Sequence, residues 1–185
     1  MIGSPIRTTP RRPHGRRALL AAALCLAVPA LALAQQYAND DLPDWREDPV
    51  PPPPAYTTKA SQLIDIDMPA GSSVKVGIDP ATITINSATG IVRYVVVLRG
   101  PSAVNASYEG IRCATGEYKV YARQSEGNPW SPSGQSQWKS MFGQSGFGVS
   151  YPYRLAQHGL CFGPSVRLSV AEAVRDLRAG GPSPF

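Results

Sequence analysis

The stretch IVRYVVVL, Ile91 to Leu98, decides the fold because both faces of the strand it would form are apolar. Successive side chains of a β-strand point to opposite faces of its sheet. One face here is continuously apolar and consists of Val92, Tyr94, Val96 and Leu98. The other face carries Ile91, Val95 and Val97 together with Arg93 and Arg99. A strand of this kind is usually central in a sheet and covered on both sides.

Segments with strand patterns lie before and after this central strand. The segment TITI, Thr82–Ile85, predicts a hairpin with it through the loop NSATG. Four more strands are predicted at Leu63–Asp67, Ser73–Ile78, Ser107–Cys113 and Glu117–Arg123. We therefore expect an antiparallel sheet of about five to six strands.

The last two of these segments predict a second hairpin, whose register follows from its hydrophobic pattern. A two-residue turn at Thr115-Gly116 would use the glycine for the positive φ that such turns need. The facing pairs are then Cys113 with Tyr118, Ile111 with Val120 and Glu109 with Ala122, while Arg112 and Lys119 pair on the opposite face. This register points Cys113 towards the core.

Helical patterns follow the strands. Ser169-Val170-Ala171-Glu172 is a capping box, and Val170, Val174 and Leu177 recur at helical spacing. Further helices are predicted at Tyr153–Leu160 and, over a short length, at SQWKSMF, Ser136–Phe142. Strands followed by helices indicate one α+β domain, residues 57–180, whose antiparallel sheet is covered by the C-terminal helices. Residues 181–185 are expected to be a disordered tail.

The first 34 residues have the pattern of a cleaved export signal. Five arginines precede an apolar run from Ala18 to Leu33, and Ala32-Leu33-Ala34 is the small–x–small pattern that signal peptidase reads. The run is short for a membrane span and contains Pro29. We expect cleavage after Ala34, a periplasmic location and no stable membrane anchor afterwards. The general secretory and twin-arginine routes both stay open.

Cleavage changes the charge of the protein. Removing 34 of the 185 residues leaves 151, and it removes five of the eighteen Lys and Arg residues but none of the thirteen Asp and Glu residues. The mature chain then has thirteen of each and a formal net charge of zero. With no basic stripe left, a nucleic-acid partner is excluded.

An acidic and proline-rich extended segment, residues 35–56, precedes the domain. Its first part has five acidic residues against Arg46, and the prolines of PVPPPPAY favour polyproline II. We interpret it as a strap over the domain, anchored by Trp45 and Tyr56. The alternative is a ligand for a proline-binding groove.

The cysteines indicate a disulfide. Once Cys25 is removed, Cys113 and Cys161 are the two that remain, and a pair in an oxidising compartment most simply forms one bond. The alternative, a reactive thiol, would need a positive and partly exposed setting.

Few residues can carry chemistry. The mature chain has one histidine, His158, which is too few for an ordinary zinc site, so we predict no metal, no cofactor and no assigned catalytic residue. A hydrolase that uses His158 or the Asp65/Asp67 pair is the enzymatic alternative. The simpler interpretation is that Asp65 and Asp67 form the solvent-exposed face of a strand whose opposite face carries Ile64 and Ile66. The stretch GQSGFG, residues 143–148, lacks the features of a phosphate loop and is predicted to be a flexible loop.

Aromatic residues are the best indication of a binding surface. Exposed rings beside arginines can form one, and the candidates are Tyr108, Arg112, Tyr121, Trp130 and Trp138. The alternative for each ring is burial in the core.

Several segments resemble the CNP-one-like family (cryptic neisserial protein), small exported proteins of Gram-negative bacteria without an established activity. These are DWRED followed by VPPPPAY, the strand GIVRYVVVLRG, the segment NASYEGIRC, Trp138, and Cys161 in GLCFGP. The resemblance covers residues 44 to 178 and implies an exported, periplasmic protein. It implies no catalytic residue.

Together these patterns favour a non-enzymatic periplasmic protein that binds another envelope protein or a small ligand. The binding elements would be the second hairpin and the Trp-containing loop, which runs from Gly127 to Gly148 around Trp130 and Trp138. The role, the ligand and the oligomeric state do not follow from the sequence.

Overall fold

The computed structural model describes residues 45–134, 136–142 and 150–180. Arg46–Phe185 forms one compact unit, and Met1–Trp45 forms another, of which only Trp45 is described. The predicted export signal and the loop at residues 143–148 lie outside the described residues.

The main sheet is antiparallel and has eight strands among the described residues. These strands are β1 (Ile64–Ile66), β2 (Lys75–Ile78), β3 (Thr84–Asn86), β4 (Ile91–Arg99), β5 (Val104–Arg112), β6 (Glu117–Ser125), β7 (Ser131–Pro132) and β8 (Lys139–Ser140). Their order in the sheet is β1-β2-β4-β5-β6-β7, while β3 pairs with β4 and β8 pairs with β6. The predicted α+β domain with an antiparallel sheet is confirmed.

Strand β4 is central in the sheet, because other strands pair with both of its edges. On one edge it pairs with β5 along its whole length, and on the other with β2 and β3 in turn. The break between β2 and β3 is bridged at Val95, whose N–H donates to Thr82 Oγ1 and whose C=O accepts from the Asp79 N–H, at 2.9 and 3.1 Å. The backbone of β4 is therefore satisfied where the edge strand is interrupted.

The helices lie C-terminal to the strands. Helix α1 (Tyr151–Leu155) continues into a π-helical turn (Ala156–Leu160), the short strands β9 (Cys161–Phe162) and β10 (Ser165–Val166) form a second sheet, and α2 (Val170–Arg178) follows. Ser169 caps α2, because its Oγ accepts from the Glu172 N–H at 3.1 Å. Among the described residues, no helix has the length and apolarity needed to cross a membrane.

One predicted helix is wrong. Ser136–Phe142 contains strand β8, which pairs Lys139 with Tyr118 and Ser140 with Glu117. The edge of β6 offers unpaired backbone groups there, and pairing with them outweighs a weak local helical preference.

The register of the β5–β6 hairpin also differs from the prediction. The turn has four residues, Cys113 to Gly116, so that Ile111 faces Tyr118, Glu109 faces Val120 and Arg112 faces Glu117. Lys119 faces Gly110 instead of Arg112. Cys113 has left the ladder, since its N–H donates to the Gly90 C=O at 3.3 Å.

A β-bulge produces the second difference in this hairpin. The register shifts between Tyr108 and Glu109, and Tyr108 then faces Ala122. Tyr121 is the extra residue. Val120 therefore pairs with Glu109 and Ala122 with the neighbouring Tyr108, which puts Val120 and Ala122 on opposite faces, whereas the prediction placed both on one face.

The two faces of the sheet are buried by different layers. The helices cover the first face, where Val92, Tyr94, Val96 and Ile111 pack with Leu155, Leu160, Ala173 and Leu177. The second face has a smaller core of Val95, Ala106, Tyr108 and Ala122, against which Tyr56, Tyr121 and Trp130 pack.

Gly159 allows the π-helical turn to approach α2 closely. A Cβ at this position would lie 2.7 Å from Leu177 Cγ and 2.8 Å from the Ala173 carbonyl oxygen. Any larger residue would push the two elements apart.

The predicted disulfide joins the β5–β6 turn to the start of β9. Cys113 and Cys161 are bonded, and their side chains lie in the main core with 7% and 8% exposure. The prediction that Cys113 points inward is confirmed.

Replacing both cysteines by alanine should lower the free energy of unfolding by about 4 kcal/mol, because the bond closes a loop with a sequence separation of 48 residues. Urea unfolding of the oxidised protein and of the Cys113→Ala/Cys161→Ala variant measures the difference. A loss below about 1 kcal/mol, or wild-type thiols that alkylate without reductant after unfolding, would contradict this role of the bond.

Candidate functional site

Residues 46–56, here called the strap, cross the second face of the sheet. Asp48 accepts two hydrogen bonds from the guanidinium of Arg93, at 2.9 Å from Nη1 and 2.8 Å from Nη2. Glu47 accepts from Lys119 Nζ at 2.9 Å and from the Tyr121 hydroxyl at 2.7 Å. Two adjacent carboxylates therefore bind three donors on β4 and β6.

Burial makes this pairing necessary. Arg93 projects from the middle of β4 and is only 4% exposed. A buried guanidinium without a counter-charge is strongly unfavourable, and Asp48 supplies that charge in a bidentate geometry.

The pKa values of the strap carboxylates reflect these contacts. Hydrogen bonds from Arg93 lower the pKa of Asp48 to about 2, against a smaller effect of burial. For Glu47, burial acts to raise the pKa, but the hydrogen bonds from Tyr121 and Lys119 outweigh it and lower the pKa. Both carboxylates are therefore held in their charged form.

The proline part of the strap shares a groove with aromatic rings. Val50, Pro51 and Pro53 border a groove of about 240 Å³ whose other walls include Tyr108, Tyr121 and Trp130. We call Arg93, Tyr108, Lys119, Tyr121 and Trp130 the strap-binding face. Of the two predicted anchors, Tyr56 contacts Trp130 edge-on with ring centroids 5.5 Å apart.

Gly110 shapes the same face. A Cβ on Gly110 would lie 2.5 Å from the Tyr121 hydroxyl and 2.9 Å from its Cε2, so the ring rests directly on the glycine backbone. With the bulge at Tyr121, this places the hydroxyl beside Glu47.

The five residues predicted as a binding surface are distributed around this face. Tyr108 is 2% exposed beneath the strap, and Tyr121 and Trp130 pack beside it. Lys119 Nζ lies 5.8 Å from the centroid of the Trp138 ring, and Arg112 lies 3.9 Å from Glu117 near the hairpin turn. The structure thus brings Tyr108, Tyr121 and Trp130 together.

The Asp48→Asn substitution should remove an acid-dependent part of the stability. Because the folded pKa of Asp48 is lowered, its contribution is present above about pH 4 and is lost as the pH falls towards 2. We expect a loss of about 1–2 kcal/mol at pH 7, reduced from the full linkage value because the carboxylate is partly solvated.

Thermal unfolding between pH 2 and 7 provides the measurement. Asp65→Asn is the matched control, since Asp65 also pairs with an arginine at 2.8 Å but its side chain is 71% exposed. Equal effects of the two substitutions would contradict a special role for the Asp48–Arg93 pair.

A second polar cluster lies inside the main core. Glu109 is fully buried and accepts hydrogen bonds from the hydroxyls of Tyr151, at 2.6 Å, and Tyr94, at 3.3 Å. Burial raises the pKa of Glu109, and the hydrogen bonds from the tyrosines only partly offset this. Burial, together with the charge of Glu109, also raises the pKa of both tyrosines. The cluster ties helix α1 to β4 and β5.

The stability of the Glu109→Gln variant relative to the wild-type protein should increase as the pH rises. Because the folded pKa of Glu109 is raised, its contribution to stability is complete below about pH 4 and is lost as the pH rises through the folded pKa. Urea unfolding at pH 4, 6 and 8 tests this, with exposed Glu126→Gln as the control. A difference between Glu109→Gln and wild type that is the same at all three pH values would contradict it.

An apolar groove of about 370 Å³ lies next to the disulfide; we call it the disulfide groove. Its walls include both half-cystines, Met141, Phe142, Tyr153 and Phe162. Phe142 is 60% exposed and Phe162 63% exposed, although large apolar side chains are normally buried. The Arg167 guanidinium lies 5.3 Å from the centroid of the Phe162 ring and is itself held by Asp176 at 3.0 Å.

The residues of the enzymatic alternative meet in another place. His158, Asp65 and Asp67 line one cleft of about 650 Å³ between β1 and the end of α2. Asp65 is bound to Arg99 at 2.8 Å, and within the described ranges no hydrogen bond joins His158 to either aspartate. Both aspartates are exposed and Ile64 and Ile66 are buried, as the simpler interpretation of this strand predicted.

His158 and Cys161 do not form a pair. The helical segment ends between them, Cys161 is bonded to Cys113, and the two side chains line different cavities. In the part of the chain that the structure describes, no group of three or more His, Cys, Asp or Glu side chains could hold a metal ion.

The sequence had not pointed to Arg93, the Glu47–Asp48 pair, Glu109 or the two exposed phenylalanines. A signal existed for the first of these, because an arginine inside an apolar central strand requires an acidic partner. The sequence contains no comparable signal for the exposure of the two phenylalanines, because this depends on how segments distant in the chain pack together.

The fold and these surfaces define an α+β domain with a covered sheet and one disulfide. The model of the CNP1-like family matches residues 40–178, and the chain belongs to this family. Comparisons with curated proteins and with solved structures found no match.

Proposed function

We propose that the protein is an exported, non-enzymatic binding protein of the cell envelope that holds an apolar group of its partner in the disulfide groove. The observation that carries the proposal is the exposure of Phe142 and Phe162 at the rim of a groove floored by a disulfide. Exposed apolar surface of this kind usually marks an interaction site.

The position of the groove fits the elements expected to bind. Cys113 and Gly116 belong to the turn of the β5–β6 hairpin, and Met141 and Phe142 lie within the Trp-containing loop, just after strand β8. A volume of about 370 Å³ is in the range of small-molecule pockets and accommodates one large apolar side chain or a small apolar ligand.

Export is supported by the arginine-rich start, the apolar run and the Ala32-Leu33-Ala34 pattern. The Cys113–Cys161 bond supports an oxidising compartment such as the periplasm, because disulfides persist there.

A hydrophobic fluorescent dye, anilinonaphthalene sulfonate, tests the groove. The wild-type protein should bind it saturably at one site, and the Phe142→Ala/Phe162→Ala variant at least tenfold more weakly, since each ring contributes apolar contact area. Leu168→Ala is the control, because Leu168 is 95% exposed but does not line the groove. Dye binding that is unchanged in the double variant, or reduced equally by Leu168→Ala, would overturn the assignment.

A periplasmic hydrolase is the second candidate, favoured by the cleft that His158 shares with Asp65 and Asp67. General acid–base catalysis by His158 would predict a loss of at least 100-fold in activity for His158→Ala. Chromogenic esters, peptides and glycosides are the substrates to assay, and dye binding in the groove should be unaffected. If the wild-type protein hydrolyses none of them, or if His158→Ala keeps full activity, this candidate fails.

A further inference from the structure

The strap contacts the sheet in the way a bound peptide does. Residues 47–56 take part in no backbone–backbone hydrogen bond with the described part of the sheet. Two carboxylates bind Arg93, Lys119 and Tyr121, and Pro51 and Pro53 line one groove together with aromatic rings. Proline-recognising domains bind polyproline II segments on aromatic surfaces in the same manner.

The fit of the strap is incomplete. A groove of about 240 Å³ remains open, lined by Val50, Pro51 and Pro53 together with Tyr108, Tyr121 and Trp130. Val50 is 41% exposed, although it borders that groove. The aromatic surface therefore has room for side chains larger than those the strap provides.

The contacts that hold the strap on the sheet are also of a kind that another segment can replace. Its strongest contacts are ion pairs whose carboxylates keep 16% and 27% exposure, so water can reach them. A polyproline II segment loses little conformational entropy when it binds or leaves. Covalent attachment to the domain gives the strap a high effective concentration, which conceals a modest intrinsic affinity.

We propose that the strap-binding face is a recognition surface for extended, proline-rich protein segments that carry adjacent carboxylates, and that the strap is a tethered occupant which such a segment of a partner displaces. This surface is separate from the disulfide groove and does not depend on its function. The partner segment presents two carboxylates to Arg93 and Lys119 and prolines to the aromatic rings.

The experiment uses the mature chain with a protease site inserted after Thr58, where the side chains are exposed. A labelled synthetic peptide with the sequence of residues 45–56 is the probe, and fluorescence anisotropy reports binding. After cleavage, the domain should keep its circular dichroism spectrum and bind the peptide with a micromolar Kd. The uncut chain should bind at least about 100-fold more weakly, because the tethered strap competes at a millimolar effective concentration.

Two peptide variants test the chemistry of recognition. The Glu47→Gln/Asp48→Asn peptide should bind at least tenfold more weakly, because it loses the ionic contacts. The Pro51→Ala/Pro53→Ala peptide should also bind more weakly than the Pro52→Ala/Pro54→Ala peptide. The two carry the same number of prolines, but only Pro51 and Pro53 line the groove.

A second protein variant avoids cleavage. The intact chain with Glu47→Gln and Asp48→Asn should bind the wild-type peptide at least tenfold better than the intact wild-type chain does, because its own strap competes less. Unfolding of the cleaved domain, a strap fragment that does not exchange within a day, or equal binding of the wild-type and charge-neutral peptides would each overturn the proposal.

Discussion

The position of Arg93 in the central strand is the constraint on which the second face of the sheet depends. A guanidinium that is 4% exposed must have a counter-charge, and neither β5 nor β6 provides one beside it. Asp48 provides it from a segment 45 residues earlier in the chain. The ion pair therefore explains why an acidic, proline-rich segment is part of the folded unit. Tyr56, which follows the prolines, packs against the core of this face.

Much of the architecture could be predicted from local patterns. The stretch Ile91–Leu98 is apolar on both faces and is indeed the central strand, covered by helices on one side and by the strap on the other. The inward position of Cys113 and the helix that begins after Ser169 also followed from the order of residues. In each case the contacts that determine the structure lie within a few residues along the chain, or follow from the alternation of apolar and polar side chains along a strand.

The predictions were wrong or incomplete where contacts between residues far apart in the chain determine the structure. The disulfide to Cys161 and the hydrogen bond to Gly90 draw Cys113 out of the ladder, so the hairpin turn has four residues instead of two. The bulge at Tyr121 depends on Gly110 across the sheet and on Glu47 in the strap, neither of which is visible in the pattern of β6. The predicted register placed Glu109 on the inward face of its strand. A carboxyl group buried there needs hydrogen-bond donors, and these are the hydroxyls of Tyr94 on β4 and Tyr151 on α1, which the pattern of β5 does not reveal.

The two faces of the sheet are held by different forces, and this difference bears on function. The face under the helices is closed by apolar packing, by the Glu109–tyrosine cluster and by a covalent bond, none of which opens without unfolding of that region. The face under the strap is closed by partly solvated ion pairs and by prolines without backbone hydrogen bonds to the sheet. A partner that supplies equivalent carboxylates and prolines can replace those contacts one for one. Exchange at this face therefore requires less disruption of the fold than opening of the face under the helices.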